Sequence, residues 1–88
     1  MDTTKITALV AELQSRLPKR PLDTMDVVVT ADFEGEAINC APAVGDRHNL
    51  LASGGSILYV EEILTFAKYH GLDVATRLFE TGAGLQLY

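Results

Sequence analysis

The sequence predicts one small α+β domain over residues 1–88, in which a short antiparallel sheet carries two main helices packed on one face. Three patterns support this class. Residues 4–17 and 56–70 carry apolar side chains at helical spacing, and residues 27–41 alternate as a β-hairpin does. Residues 85–88 alternate again, which predicts a C-terminal strand that joins the hairpin. A chain of 88 residues has room for one hydrophobic core.

The first helix is expected over residues 4–17. Thr3 or Thr4 is expected to cap its start, and Pro18 is expected to end it. Its apolar residues share one face of a helix: Ile6, Leu9, Val10, Leu13 and Leu17.

The hairpin is expected to turn at Glu34-Gly35, because Gly35 adopts a positive φ readily. A loop of this length pairs Ala31 with Ile38, and residue 33 with residue 36. One face of the hairpin is then apolar, as in a sheet covered on one side. That face is formed by Val27, Val29, Ala31, Phe33, Ile38 and Cys40.

Residues 43–55 are expected to form a loop, and residues 56–70 the second helix. Ser53 or Ser56 is expected to cap this helix, and a left-handed Gly71 to close it. Its polar stripe is narrow, so most of its circumference should be buried against the sheet and also against the first helix or a second protein chain. Open edges of so short a sheet offer another route to pairing. Both features favour a homodimer or a hetero-complex, and we expect a homodimer.

Residues 73–82 allow two structures. Asp73 can cap a short helix that ends at Gly82, or residues 74–79 form a strand that turns through residues 81–84. We favour the helix, because Val74, Ala75, Leu78 and Phe79 fit its periodicity.

The charge balance excludes two classes of partner. Twelve acidic residues against seven basic ones give a net charge of −5. Nucleic acids and anionic membrane surfaces both select basic proteins, so we expect neither as a direct partner. No secretion signal, long apolar segment or cysteine pair is visible, which favours a cytoplasmic setting.

Acidic residues concentrate around the hairpin. We expect Asp26, Asp32, Glu34 and Glu36 to bind a protein partner with a basic surface. The alternative is that these charges only keep the protein soluble. The sequence therefore predicts a small acidic accessory or regulatory protein that acts by protein–protein interaction. One form would be an inhibitor, or a nucleic-acid-mimicking decoy, of a nucleic-acid-processing complex.

A small-molecule or anion-binding module is the alternative function. Free N–H groups at a helix start attract anions, and Arg47 and His48 would add charge. The motif lacks the spacing and the lysine of a P-loop, and glycines before a helix usually mark a connector. The residues of this candidate cradle are Ser53, Gly54, Gly55 and Ser56.

No catalytic residue, metal site or cofactor is expected. Cys40 falls on the apolar face, where a free cysteine acts as a small hydrophobe. The sequence has no paired Cys or His spacing of the kind that binds zinc, and His70 suits a helix C-terminus. The protein is therefore not expected to be an enzyme. A second alternative is a subunit of an oligomeric enzyme, with His48 as the residue to test.

Overall fold

A computed structural model describes residues 1–16, 23–45 and 56–88. These residues form two helices and a five-stranded antiparallel sheet, which confirms the α+β class. In chain order the elements are α1 (Thr3–Gln14), β1 (Asp26–Asp32), β2 (Ala37–Pro42), β3 (Ser56–Tyr59), α2 (Val60–Tyr69), β4 (Val74–Phe79) and β5 (Gly82–Leu87). Within the described ranges, no helix is long and apolar enough to cross a membrane.

The sheet is ordered β3-β1-β2-β5-β4. Hairpin β1–β2 pairs Val29 with Cys40 and Ala31 with Ile38, as the alternation predicts. Strand β5 pairs with β2, so the predicted C-terminal strand does join the hairpin. Strand β3, which was not expected, and strand β4, the less favoured alternative for residues 73–82, extend the sheet from three strands to five.

One hydrophobic core joins a sheet face to both helices. Its strand residues alternate along each strand and therefore share a face. Removing this apolar surface from water is the main force that holds the helices to the sheet. The core cluster consists of Val27, Val29, Ile38, Cys40, Leu58 and Leu87 from strands, Ile6, Leu9, Val10 and Leu13 from α1, and Ile63, Phe66 and Ala67 from α2.

Helix α1 begins one residue earlier than predicted. Asp2 is its N-cap, and the Asp2 carboxylate accepts the Lys5 N–H at 2.8 Å. Aspartate caps a helix at least as well as threonine, so Thr3 and Thr4 lie inside the first turn instead. The helix ends at Gln14 with Ser15 as its C-cap, so it is shorter than the predicted helix over residues 4–17. The Ser15 hydroxyl donates to the Glu12 carbonyl at this end, and residues 17 and 18 lie outside the described residues.

The hairpin turn is longer than predicted. It covers residues 33–36, so Phe33 does not lie on the apolar face and is 51% exposed. The reason is Asp32, whose carboxylate accepts the Gly35 N–H and closes a wider turn. The positive φ falls on Glu36, at 54°, and not on Gly35.

The second helix begins at Val60, because Ser56–Tyr59 is a strand that pairs with β1. The prediction of a helix from residue 56 was therefore wrong. A short apolar run fits a buried strand as well as a helix, and Leu58 is fully buried opposite Val27. The predicted helix end is confirmed: Gly71 has a φ of 67°, and the Leu72 N–H bonds to the Ala67 carbonyl.

The preferred helix over residues 73–82 was wrong, and the strand alternative is correct. Strands β4 and β5 form a second hairpin in which Phe79 pairs with Gly82. Pairing with a distant strand overrides local helical periodicity, and the β-branched Val74 and Thr76 suit a strand. Strand β4 therefore forms one edge of the sheet, separated from the β1–β2 hairpin by β5.

The backbone at Gly84 leaves no room for a side chain. A Cβ atom at this position would overlap the Cys40 carbonyl oxygen and lie 3.0 Å from the Phe79 ring. We expect Gly84→Ala to lower the free energy of unfolding by roughly 1–3 kcal/mol, because the backbone carbonyl cannot yield. Urea unfolding measures the loss. The exposed neighbour provides the control: Ala83→Ser should change stability by less than about 0.5 kcal/mol. Equal losses in the two variants would contradict this reading of Gly84.

Candidate functional site at the hairpin turn

The β1–β2 turn presents an aromatic ring beside two carboxylates. Phe33, Glu34, Gly35 and Glu36, which we call the acidic turn, are all exposed. Among the described residues no ion pair involves Glu34 or Glu36. An exposed ring flanked by uncompensated charges is a surface that a second molecule can cover with both apolar and ionic contacts.

Local hydrogen bonds fix the backbone of the acidic turn. The Gly35 N–H donates to Asp32 Oδ1 at 2.9 Å, and the Glu36 N–H donates to the Phe33 carbonyl at 3.3 Å. Aspartate at the start of a turn commonly bonds to a later N–H in this way. The conformation that presents Phe33 and the two glutamates is therefore set before any partner arrives.

A polar network connects the acidic turn to β4, the strand at one edge of the sheet. It consists of Asp32, Asn39, Gln86 and Arg77, which come from β1, β2, β5 and β4 in the order in which those strands lie. Arg77 Nη1 donates to Asp32 Oδ2 at 3.0 Å and to Asn39 Oδ1 at 3.1 Å. Gln86 Nε2 donates to the same Asn39 oxygen at 3.1 Å. By strand alternation these side chains lie on the face opposite the core.

Arg77 is held in place from its other side as well. Its guanidinium carbon lies 5.2 Å from the centre of the Phe79 ring, within cation–π range. Phe79 lies against Gly84, where a Cβ atom would come within 3.0 Å of the ring. The Phe79 ring, which lies beside Gly84, therefore helps to direct the Arg77 guanidinium toward Asp32.

The charge of Asp32 is compensated inside the molecule. The Gly35 N–H and then the Arg77 guanidinium hold the pKa of Asp32 below its ordinary value of 3.8. The Asp32 side chain is only 17% exposed, against 43% for Arg77. Asp32 therefore supports the turn and offers little free charge to a partner.

The four predicted partner-binding residues differ in position. Asp26 is 1% exposed, and its carboxylate accepts the Asp23 N–H at 2.8 Å, so it lies under the surface at the start of β1. Asp32 is bound to Arg77. Glu34 and Glu36 are exposed on the turn. The structure thus brings two of the four carboxylates together at the surface, and partner binding stays a prediction.

Ser56 of the predicted anion cradle does not lie at a helix start. Ser56 lies in β3, and α2 begins at Val60 with Tyr59 as its N-cap. The other predicted cradle residues lie outside the described residues: Arg47, His48, Ser53, Gly54 and Gly55.

A shallow apolar cleft lies between strand residues and the start of α2. It has a volume of about 250 Å³, and Val27, Pro42, Val60, Thr76 and Leu85 are among its lining residues. Ligand pockets commonly measure about 300–1,000 Å³ and place several polar groups toward the ligand. This cleft gives the small-molecule alternative no defined ligand.

Cys40 and His70 both pack against neighbouring side chains. Cys40 is fully buried in the core, and burial raises the pKa of its thiol to about 12, so it acts as the small hydrophobe that the sequence predicts. The His70 ring lies 4.4 Å from that of Phe66, and its Nε2 lies 3.6 Å from the Glu12 carboxylate of α1. Within the described ranges no group of three or more His, Cys, Asp or Glu side chains could hold a metal.

The sequence did not reveal the polar network. Strand alternation places Asn39 on the hairpin face opposite the apolar one, but Arg77 and Gln86 join it only if residues 74–79 are a strand. A turn of two residues would place Phe33 on the apolar face, but the turn covers residues 33–36. The signal that favours the longer turn is Asp32, three residues before Gly35.

Comparison of the chain with protein-family models, curated proteins and solved structures gave no match.

The ionised Asp32 side chain should make the stability of the fold depend on pH. Because its folded-state pKa is lowered, it stabilises the fold fully above its unfolded pKa, and this contribution is lost as the pH falls through the lowered folded-state pKa. We expect Asp32→Asn to destabilise the protein at pH 7, and the difference from wild type to shrink below about pH 4. Urea unfolding across a pH series measures both effects. A difference that is constant with pH would contradict a charged, stabilising Asp32.

Proposed function

We propose that this chain is a small accessory or regulatory protein that binds another protein through the acidic turn. One observation carries the proposal. An exposed aromatic ring and two exposed glutamates lie on a turn whose backbone is fixed by Asp32, which is itself held by Arg77. This support presents the ring and the two glutamates in one arrangement.

The chemistry of the acidic turn defines the partner. Phe33 offers an aromatic anchor that gains from entering an apolar pocket, as hot-spot residues do. Glu34 and Glu36 favour lysine or arginine around that pocket, since charge-assisted hydrogen bonds to carboxylates are strong. A turn fixed in advance also loses little conformational entropy on binding. The proposed partner is a protein whose basic surface surrounds an apolar depression.

Inhibition by occupying such a basic surface is one form of this role. A nucleic-acid-mimicking decoy would need a longer row of free carboxylates. Asp26 and Asp32 do not extend that row, because one is buried and the other is paired with Arg77. We therefore favour contact with a compact protein site. The buried, unpaired Cys40 supports a cytoplasmic setting for this interaction.

Affinity capture from the native host, quantified by mass spectrometry, tests the proposal. We expect Glu34→Lys and Phe33→Ala each to weaken retention of the partner about tenfold, which corresponds to about 1.4 kcal/mol. Captured partner should also fall as the salt concentration rises.

Glu80→Lys is the matched control for the capture experiment. Glu80 is exposed in the β4–β5 turn at the opposite end of the sheet, so the net charge changes equally while the acidic turn stays intact. This variant should retain the partner as wild type does. Equal retention by all variants, with unchanged thermal unfolding, would overturn the proposed function.

A further inference from the structure

Strand β4 is an edge strand with an open side. It pairs with β5, and in the described part of the chain no strand pairs with its other side. Proteins usually protect such an edge with proline, a bulge or an unpaired charge. β4 contains no proline, and its one charged residue, Arg77, is neutralised by Asp32 on the face opposite the core.

The ladder to β5 shows which backbone groups of β4 face outward. Asp73 and Tyr88 exchange both of their backbone hydrogen bonds, at 2.8 and 3.0 Å. In an antiparallel ladder such pairs alternate with pairs whose N–H and C=O groups point away. The outward-facing groups of β4 therefore belong to Val74, Thr76 and Leu78.

The side chains of the same three residues lie beside the core. Val74 pairs with Leu87 and Thr76 pairs with Leu85, so these residues share the apolar face of the sheet. Val74 is 41% exposed and Leu78 is 81% exposed. The open edge thus combines free backbone hydrogen-bonding groups with an apolar strip that continues the core.

Symmetry restricts how a second copy can pair with this edge. A two-fold axis perpendicular to the sheet keeps paired residues on the same face, so the axis must pass between the two copies of one β4 residue. An axis at Arg77 would place two guanidinium groups opposite each other. An axis at Thr76 instead sets Val74 opposite the partner subunit's Leu78, and Arg77 opposite the partner subunit's Ala75.

We propose that two copies of this chain pair through β4 in an antiparallel ladder centred on Thr76. This register satisfies all the outward-facing groups of Val74, Thr76 and Leu78 with about six hydrogen bonds between the chains. It also covers the exposed Leu78 with the partner subunit's Val74. The sheet then runs continuously through both copies. The pairing is independent of the acidic turn, and it gives the dimer two such turns.

Disulfide trapping tests the register. Paired residues in an antiparallel ladder have Cα atoms about 5.5 Å apart, which a disulfide can span. Thr76→Cys should therefore cross-link to itself at least about tenfold faster than Leu78→Cys, because the ladder separates the two copies of residue 78 by several residues. Random collision predicts the reverse, since Leu78 is 81% exposed. The native Cys40 is buried and does not compete. Cross-linking that is equally fast or faster for Leu78→Cys would overturn the register.

Sedimentation equilibrium tests the dimer itself, at concentrations up to about 1 mM because small interfaces are weak. Thr76→Pro removes an outward-facing N–H and leaves the ladder to β5 intact, so we expect it to be monomeric. Thr76→Val keeps the N–H and should dimerise as wild type does. A wild-type protein that stays monomeric throughout would overturn the proposal, as would a Thr76→Pro variant that dimerises equally. Circular dichroism confirms that each variant is folded.

Discussion

The ion pair between Asp32 and Arg77 is the interaction on which the arrangement of the acidic turn depends. One oxygen of the Asp32 carboxylate accepts the Gly35 N–H, and the other accepts Arg77, which is 45 residues away in the chain. The carboxylate thus couples a local turn to the distant strand β4. Because both oxygens are used, Asp32 fixes the direction in which Phe33 and the two glutamates point.

The two faces of the sheet have separate roles. The apolar face holds the helices through a continuous core, which gives the fold its stability. The opposite face carries the polar network, whose members partner one another and span four strands. Asn39 and Gln86 are partly buried, and a polar side chain that loses part of its contact with water needs a partner, so this network also favours one alignment of β4 with β1 and β2. Stability and positioning therefore come from different residues.

The sequence predicted the parts of the fold that local alternation determines. The pairing of Val29 with Cys40 follows from a period of two on both strands, and a slip by one residue would bury polar side chains. Residues 56–59 and 74–79 could not be assigned in this way, because each apolar run fits a helix as well as a strand. Their structure depends on pairing with strands that are distant in the sequence.

The candidate site was predictable only in part, for the same reason. Glu34 and Glu36 could be placed at a turn from their neighbours, and both are exposed. The buried position of Asp26 and the pairing of Asp32 could not be foreseen, because they depend on tertiary contacts. Arg77 could be identified as a support for the turn only once β4 was known to be a strand.

Backbone ¹⁵N relaxation of an Arg77→Met variant tests most directly whether the polar network holds the acidic turn. We expect order parameters of about 0.85 for residues 33–36 in wild type and below about 0.6 in the variant, with those of β1 and β2 unchanged. Lys68→Met removes an exposed charge from α2 and should leave residues 33–36 as rigid as in wild type. A turn that stays equally rigid without the Arg77 guanidinium would contradict the account.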